Sequence, residues 1–121
     1  MGRRPRQPWN EGLEERLVEW DSNEEQKKWY AFISFEEYED FDDMVWIIEH
    51  KIFPEQIDYH GSEDFYGYFV KNGIRVEIMR VWVGGNMIKC DLHLPPRELE
   101  QVRQWAQIIW AGLVAGVDTM K

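Results

Sequence analysis

The dipeptide Asn72-Gly73 stands between two runs of apolar and aromatic residues, and it constrains the fold more than any other pair in the chain. Asparagine and glycine both accept a left-handed backbone, which is what a two-residue turn between antiparallel strands demands. After it, Ile74, Val76 and Ile78 alternate with Arg75 and Glu77, the period of a strand with one buried face. Before it, Phe65, Tyr66, Tyr68 and Phe69 alternate across a partner strand, so some of these aromatic side chains face outward. A second turn at Gly84-Gly85-Asn86 leads to a third strand over 87–94. The expectation is an antiparallel meander covering 65–94. Beyond Met79 both faces become apolar at Val81, Trp82 and Val83, which leaves a bulge and a second covered face as open alternatives.

The segments around the meander supply the rest of an α+β domain. Residues 29–35 are apolar at nearly every position and rich in aromatic side chains, which suits a central strand. Residues 13–20 fit a short helix through Leu13, Leu17 and Trp20, or the first arm of a hairpin from about Arg16; the strand is preferred because 29–35 needs a neighbour. A short strand is expected at 56–59. Val45, Ile48 and Ile52 line one side of a helix near 42–52, with its start near Asp40 or Asp42 as N-cap and Pro54 as its stop. Pro95-Pro96 ends the last strand and opens a long helix near 96–117. Leu99, Val102, Ala106, Ile109 and Leu113 form its stripe, while its second half is apolar nearly all round. The predicted architecture is an antiparallel sheet of about four to six strands with these two helices packed on it.

Charge narrows the range of partners. The 121 residues carry 14 Lys and Arg against 23 Asp and Glu, a net −9. Arg3, Arg4 and Arg6 all lie in residues 1–8, a proline-containing segment expected to be a flexible basic arm. Residues 9–121, expected to form the single domain, therefore hold 11 bases and stand at −12. Such a field repels free nucleic acid and steers encounter with basic protein surfaces. Cys90 is the single cysteine, so no intrachain disulfide forms; it is expected to be a small buried residue. A lone thiol and the lack of an apolar run of about 18 residues fit a cytoplasmic protein.

The densest charge lies in Glu36, Glu37, Tyr38, Glu39, Asp40, Phe41, Asp42 and Asp43, where six of eight residues are acidic. Unpaired carboxylates cost several kcal/mol each to desolvate, so these must meet water, a cation or a basic partner. The structural explanation is a solvated loop whose acids favour the positive end of the following helix. The functional explanation is a recognition surface, with Tyr38 and Phe41 as anchors and the carboxylates pairing with Arg or Lys. The segment Asp40-Phe41-Asp42-Asp43-Met44-Val45-Trp46 resembles the acidic, tryptophan-containing binding helix of the barstar family of nuclease inhibitors. That resemblance implies a mechanism, occlusion of a basic site by clustered acids, and covers only those residues.

Other chemistry is weakly supported. His50, His60 and His93 show no metal-ligand spacing, and the acidic run lacks the central glycine and closing glutamate of a calcium loop. No metal or cofactor is expected. Gly84-Gly85 is too short, and wrongly placed, to cradle phosphate. The most enzyme-like segment is Tyr59-His60-Gly61-Ser62-Glu63-Asp64. His60-x-Ser62 matches half of the paired signature of the two-histidine phosphoesterases, but His93 is followed by Leu94 and Pro95 instead of a second copy.

Three function classes follow. The leading one is a non-catalytic inhibitor of the toxin-immunity or phage anti-defence type, with the composition of such proteins. It would use residues 36–43 to block a basic site on a nuclease, toxin or defence complex, in the manner of a nucleic-acid mimic. The second is an assembly subunit self-associating through Trp110, Val114 and Val117. The third is a ligand-binding or hydrolytic domain around His60, with Glu63, Asp64, Tyr66 and Tyr68 as neighbours.

Overall fold

A computed structural model describes residues 13–18, 28–33, 38–60, 66–81 and 85–119. The fold is α+β. Strands β1 (Leu13–Val18) and β2 (Lys28–Ile33) precede helix α1 (Tyr38–Ile47), which continues into a π-helical turn at Ile48–Ile52. Strands β3 (Gln56–His60), β4 (Tyr66–Lys71), β5 (Ile74–Val81) and β6 (Gly85–Asp91) follow, then helix α2 (Pro96–Ala115) and a final 3₁₀ turn at Val117–Thr119.

All six strands join one antiparallel sheet in the order β1-β2-β6-β5-β4-β3. The meander is continuous from β3 to β6, and the β1–β2 hairpin attaches to it through β2 and β6, with Ala31 opposite Ile88. Residues 13–18 are thus strand rather than helix, and β1 starts earlier than Arg16. The Asn72-Gly73 turn has φ of 54° and 78° at its two residues, the geometry expected of it. It sets Lys71 opposite Ile74, and the register then runs unbroken through Phe69↔Val76 and Gly67↔Ile78.

One face of the sheet is packed. Phe69, Ile74, Val76, Ile78, Ile88 and Cys90 are buried in the same core as Phe41, Met44, Ile47 and Ile48 of the first helical segment and Val102, Trp105, Ala106 and Ile109 of α2. Trp105 meets Phe69 edge-on, with ring centroids 5.6 Å apart and planes at 65°. Cys90 is buried, as expected for a residue acting as a small apolar side chain. The two helical segments touch where Gly112 of α2 leaves room for Ile47: a Cβ at Gly112 would lie 2.7 Å from Ile47 Cδ1.

Two helix boundaries differ from expectation. The first begins at Tyr38, ahead of the start expected near Asp40 or Asp42, so the acids after it lie in the first turns of α1 rather than in a loop. Acids on the positive end of a helix are stabilised there, which extends it towards the chain start. The second ends at Ala115 because Gly116 adopts φ of 87°, outside the helical range. Beyond Met79, the β5–β6 register continues through Met79↔Met87 and Val81↔Gly85 without a bulge. Met87, on the face opposite Ile88, is only 6% exposed, while the side chains of Val81, Trp82 and Val83, to which the second covered face applies, lie outside the described residues.

Candidate functional site

Helix α1 sorts its residues by polarity. Phe41, Met44, Val45, Ile47 and Ile48 are buried, while Asp42 is exposed and Asp43 half-buried. Phe41 is 0% exposed, which corrects its assignment as a partner-binding anchor: its ring is spent on the core. A helix starting at Tyr38 turns position 41 onto the same side as 44, 45 and 48, and that periodicity decides the matter. Glu39 and Asp40 hold positions in the first turn of α1. Glu36 and Glu37 lie outside the described residues, as do the side chains of Tyr38, Glu39 and Asp40. In the π-helical turn that follows α1, His50 stacks on Trp46, with ring centroids 4.2 Å apart, and its Nδ1 donates to the Trp46 carbonyl at 2.9 Å.

The second candidate cluster lies on the sheet face away from the helices. The pleat places Gln56, Asp58 and His60 of β3 on that face, beside Tyr66 and Tyr68 of β4 and Arg75 and Glu77 of β5. A row of register partners crosses all six strands here: Asp58, Tyr68, Glu77, Lys89, Tyr30 and Arg16. Side-chain contacts knit its β3–β5 part. The Arg75 guanidinium carbon stands 3.8 Å from the Tyr68 ring centroid, a cation–π contact. Gln56 Nε2 donates to the Tyr68 hydroxyl at 2.8 Å, and the Tyr66 hydroxyl donates to Glu77 Oε1, also at 2.8 Å. The hydrogen bond to the Glu77 carboxylate, then partial burial and the nearby negative charge, push the Tyr66 phenol above its ordinary value; Arg75 acts in the opposite direction.

His60, Tyr66 and Tyr68 therefore share one surface, as their sequence spacing suggested, whereas Glu63 and Asp64 lie outside the described residues. His60 is exposed and stands opposite Tyr66. Among the described residues no group of three His, Cys, Asp or Glu side chains converges as a metal site. Arg75 and Glu77 were passed over in the sequence as merely the polar side of β5. The signal was available, since a two-residue turn at Asn72-Gly73 forces Tyr68 opposite Glu77 and Val70 opposite Arg75.

The self-association candidates sit differently from one another. Val117 is buried in the chain's own core, which corrects its assignment to a subunit interface. Trp110 and Val114 are half-buried and pack against the same core. The large exposed apolar residue among those described in α2 is Ile108. No described helix is long and apolar enough to cross a membrane.

Comparison of this chain with protein-family models, with curated proteins and with solved structures yields no match.

Proposed function

We propose that this protein is a non-catalytic acidic inhibitor that occupies a basic site on a nuclease, toxin or defence complex, presenting the acids at the start of α1. The observation that supports it is the division of labour within α1. Burying Phe41, Met44 and Val45 commits the apolar side inward and leaves Asp42 on the water side, separated by Phe41 from Glu39 and Asp40 of the first turn. The acids ride on a helix anchored by core contacts, so a partner meets a preorganised surface and little ordering entropy opposes binding. With residues 9–121 at −12, long-range attraction adds to the association rate for a basic partner.

The correction at Phe41 changes the chemistry of the surface. It must work through charge and through residues other than Phe41, so its binding is strongly salt-dependent. The test is capture of partners from a host lysate by the wild type and by the variant E39Q/D40N/D42N/D43N, at low and moderate salt. The variant loses favourable charge at a helix start, so its stability is measured alongside; the expected loss is about 1–2 kcal/mol. A basic protein retained by the wild type, released by salt and lost with the folded variant supports the proposal. A partner held equally by both proteins removes this surface from consideration.

A further inference from the structure

Among the described strands β3 forms one edge of the sheet, and its hydrogen-bonding groups are specified by the turn that joins β4 to β5. In a two-residue hairpin the flanking residues, here Lys71 and Ile74, exchange both backbone hydrogen bonds. Alternation then commits Phe69 and Gly67 to β5, and commits Val70, Tyr68 and Tyr66 to β3. Their register partners Gln56, Asp58 and His60 bond inward to β4. Ile57 and Tyr59 consequently turn their N–H and C=O groups to the open side. The close approach of Gly67 to Tyr59 agrees, because the narrow pairs of an antiparallel ladder are the ones that exchange no hydrogen bonds.

Natural edges are blunted by lysine, proline or an inward-aimed charge. Gln56–His60 is short and carries Asp58 on its outward face, but it has no lysine, no proline and no inward-aimed charge: its core-side positions are Ile57 and Tyr59. Gln56, Asp58, Tyr59 and His60 are all exposed, with Tyr59 at 43%. Two-fold pairing of β3 with its own copy about Tyr59 gives a self-complementary register over residues 58–60. Tyr59 faces Tyr59 of the second copy and exchanges both backbone hydrogen bonds with it, the rings meeting on the core-side face. Asp58 faces His60 of the second copy, and His60 faces its Asp58. Each carboxylate thereby gains an imidazole N–H donor, on a face where neither the Asp58 nor the His60 side chain bonds to another described residue. Centring the axis on Asp58 instead would oppose two carboxylates, which is unfavourable.

We infer that the β3 edge is a homodimerisation surface on which two copies of this chain pair antiparallel about Tyr59, joining their sheets into one. This surface is separate from the acids of α1 and from the face of α2.

The test is sedimentation velocity on the intact chain from about 10 µM to about 1 mM, the range suited to a small interface. The wild type shows a concentration-dependent dimer. H60E sets carboxylate against carboxylate at both ends of the pairing and weakens the dimer roughly ten- to a hundredfold. The exchange variant D58H/H60D restores complementarity in the same register and recovers the dimer. Y59P removes an N–H that β4 does not use, so it keeps its circular dichroism spectrum and is a monomer. A wild type that is monomeric throughout overturns the proposal. So does a dimer that tolerates H60E and Y59P alike, or an exchange variant that remains as weak as H60E.

Discussion

Gly67 lies so close to Tyr59 across the β3–β4 ladder that a Cβ on it would stand 2.6 Å from Tyr59 Cβ and 2.7 Å from Tyr59 Cα, and against the Asp58 carbonyl oxygen. Two of those three neighbours are backbone atoms, so no side-chain rotation relieves the contact. Gly67→Ala must push β3 away from β4 and is expected to cost about 2–3 kcal/mol. Gly73 offers the comparison. Its φ is 78° and nothing stands within 4 Å of a Cβ there, so Gly73→Ala pays only the left-handed backbone cost of about 1 kcal/mol. Urea denaturation of both variants at equal slope checks the order; equal losses would mean that the β3–β4 contact is not tight.

Phe41 and Asp42 are neighbours in α1 with opposite fates, one buried and one exposed. Phe41→Ala removes a fully buried ring and is expected to cost about 3–5 kcal/mol. Asp42→Asn leaves the core untouched and is expected to stay within about 0.5 kcal/mol of the wild type. Thermal and urea unfolding distinguish these outcomes. A Phe41→Ala protein as stable as the wild type would return that ring to the surface and reopen its assignment as an anchor.

Tyr66 carries the pH prediction. Its hydroxyl donates to Glu77, and that bond, helped by burial and the carboxylate charge, favours the protonated phenol. The phenol therefore ionises above its ordinary range in the folded state. Because the folded value is raised over the unfolded one, the stability it contributes is full below about pH 10 and is lost as pH climbs through the folded value. Glu77→Gln removes the charge and the strong acceptor together. Spectrophotometric titration of phenolate absorbance, with the other tyrosines accounted for by a Tyr66→Phe control, is expected to show a lower midpoint for Tyr66 in that variant. An unchanged midpoint would show that Glu77 is not its controlling neighbour.

The sheet was legible in the sequence wherever a turn fixed the register. Asn72-Gly73 placed β4 against β5, and alternation at Ile74, Val76 and Ile78 placed the core face, because both signals are local and agree. The attachment of β2 to β6 is not local, and no pattern in residues 28–33 indicates that Trp29 lies opposite Cys90. Phe41 was misplaced for a different reason. Six surrounding carboxylates suggest a solvated segment, and a helix start near Asp40 or Asp42 leaves position 41 at or before its first residue; the actual start at Tyr38 puts it on the buried side. The pairing of Arg75 with Tyr68 needed only the register to be followed one step further, across the strand and along the diagonal.

The last prediction concerns Phe53, which ends the π-helical turn with φ of 58° and ψ of 65° and is 66% exposed. Left-handed backbone costs a non-glycine residue about 1–2 kcal/mol, and an aromatic ring facing water recovers little of it by burial. The conformation is enforced by its neighbours. The Phe53 N–H donates to the Ile48 carbonyl at 3.0 Å, and Lys71 Nζ donates to the Phe53 carbonyl at 2.9 Å. Both bonds use the backbone of residue 53, so a substitution there keeps them. Phe53→Gly removes the left-handed cost but adds freedom to the unfolded chain, for a net gain of about 0.5–1 kcal/mol. Phe53→Val, branched at Cβ, is expected to lose about 1 kcal/mol. Urea midpoints ordered glycine, phenylalanine, valine would establish that stability is being given up at this position, and a ring held in water at that cost is then a candidate contact for a partner. Equal midpoints for all three would mean that residue 53 does not hold the left-handed conformation in solution.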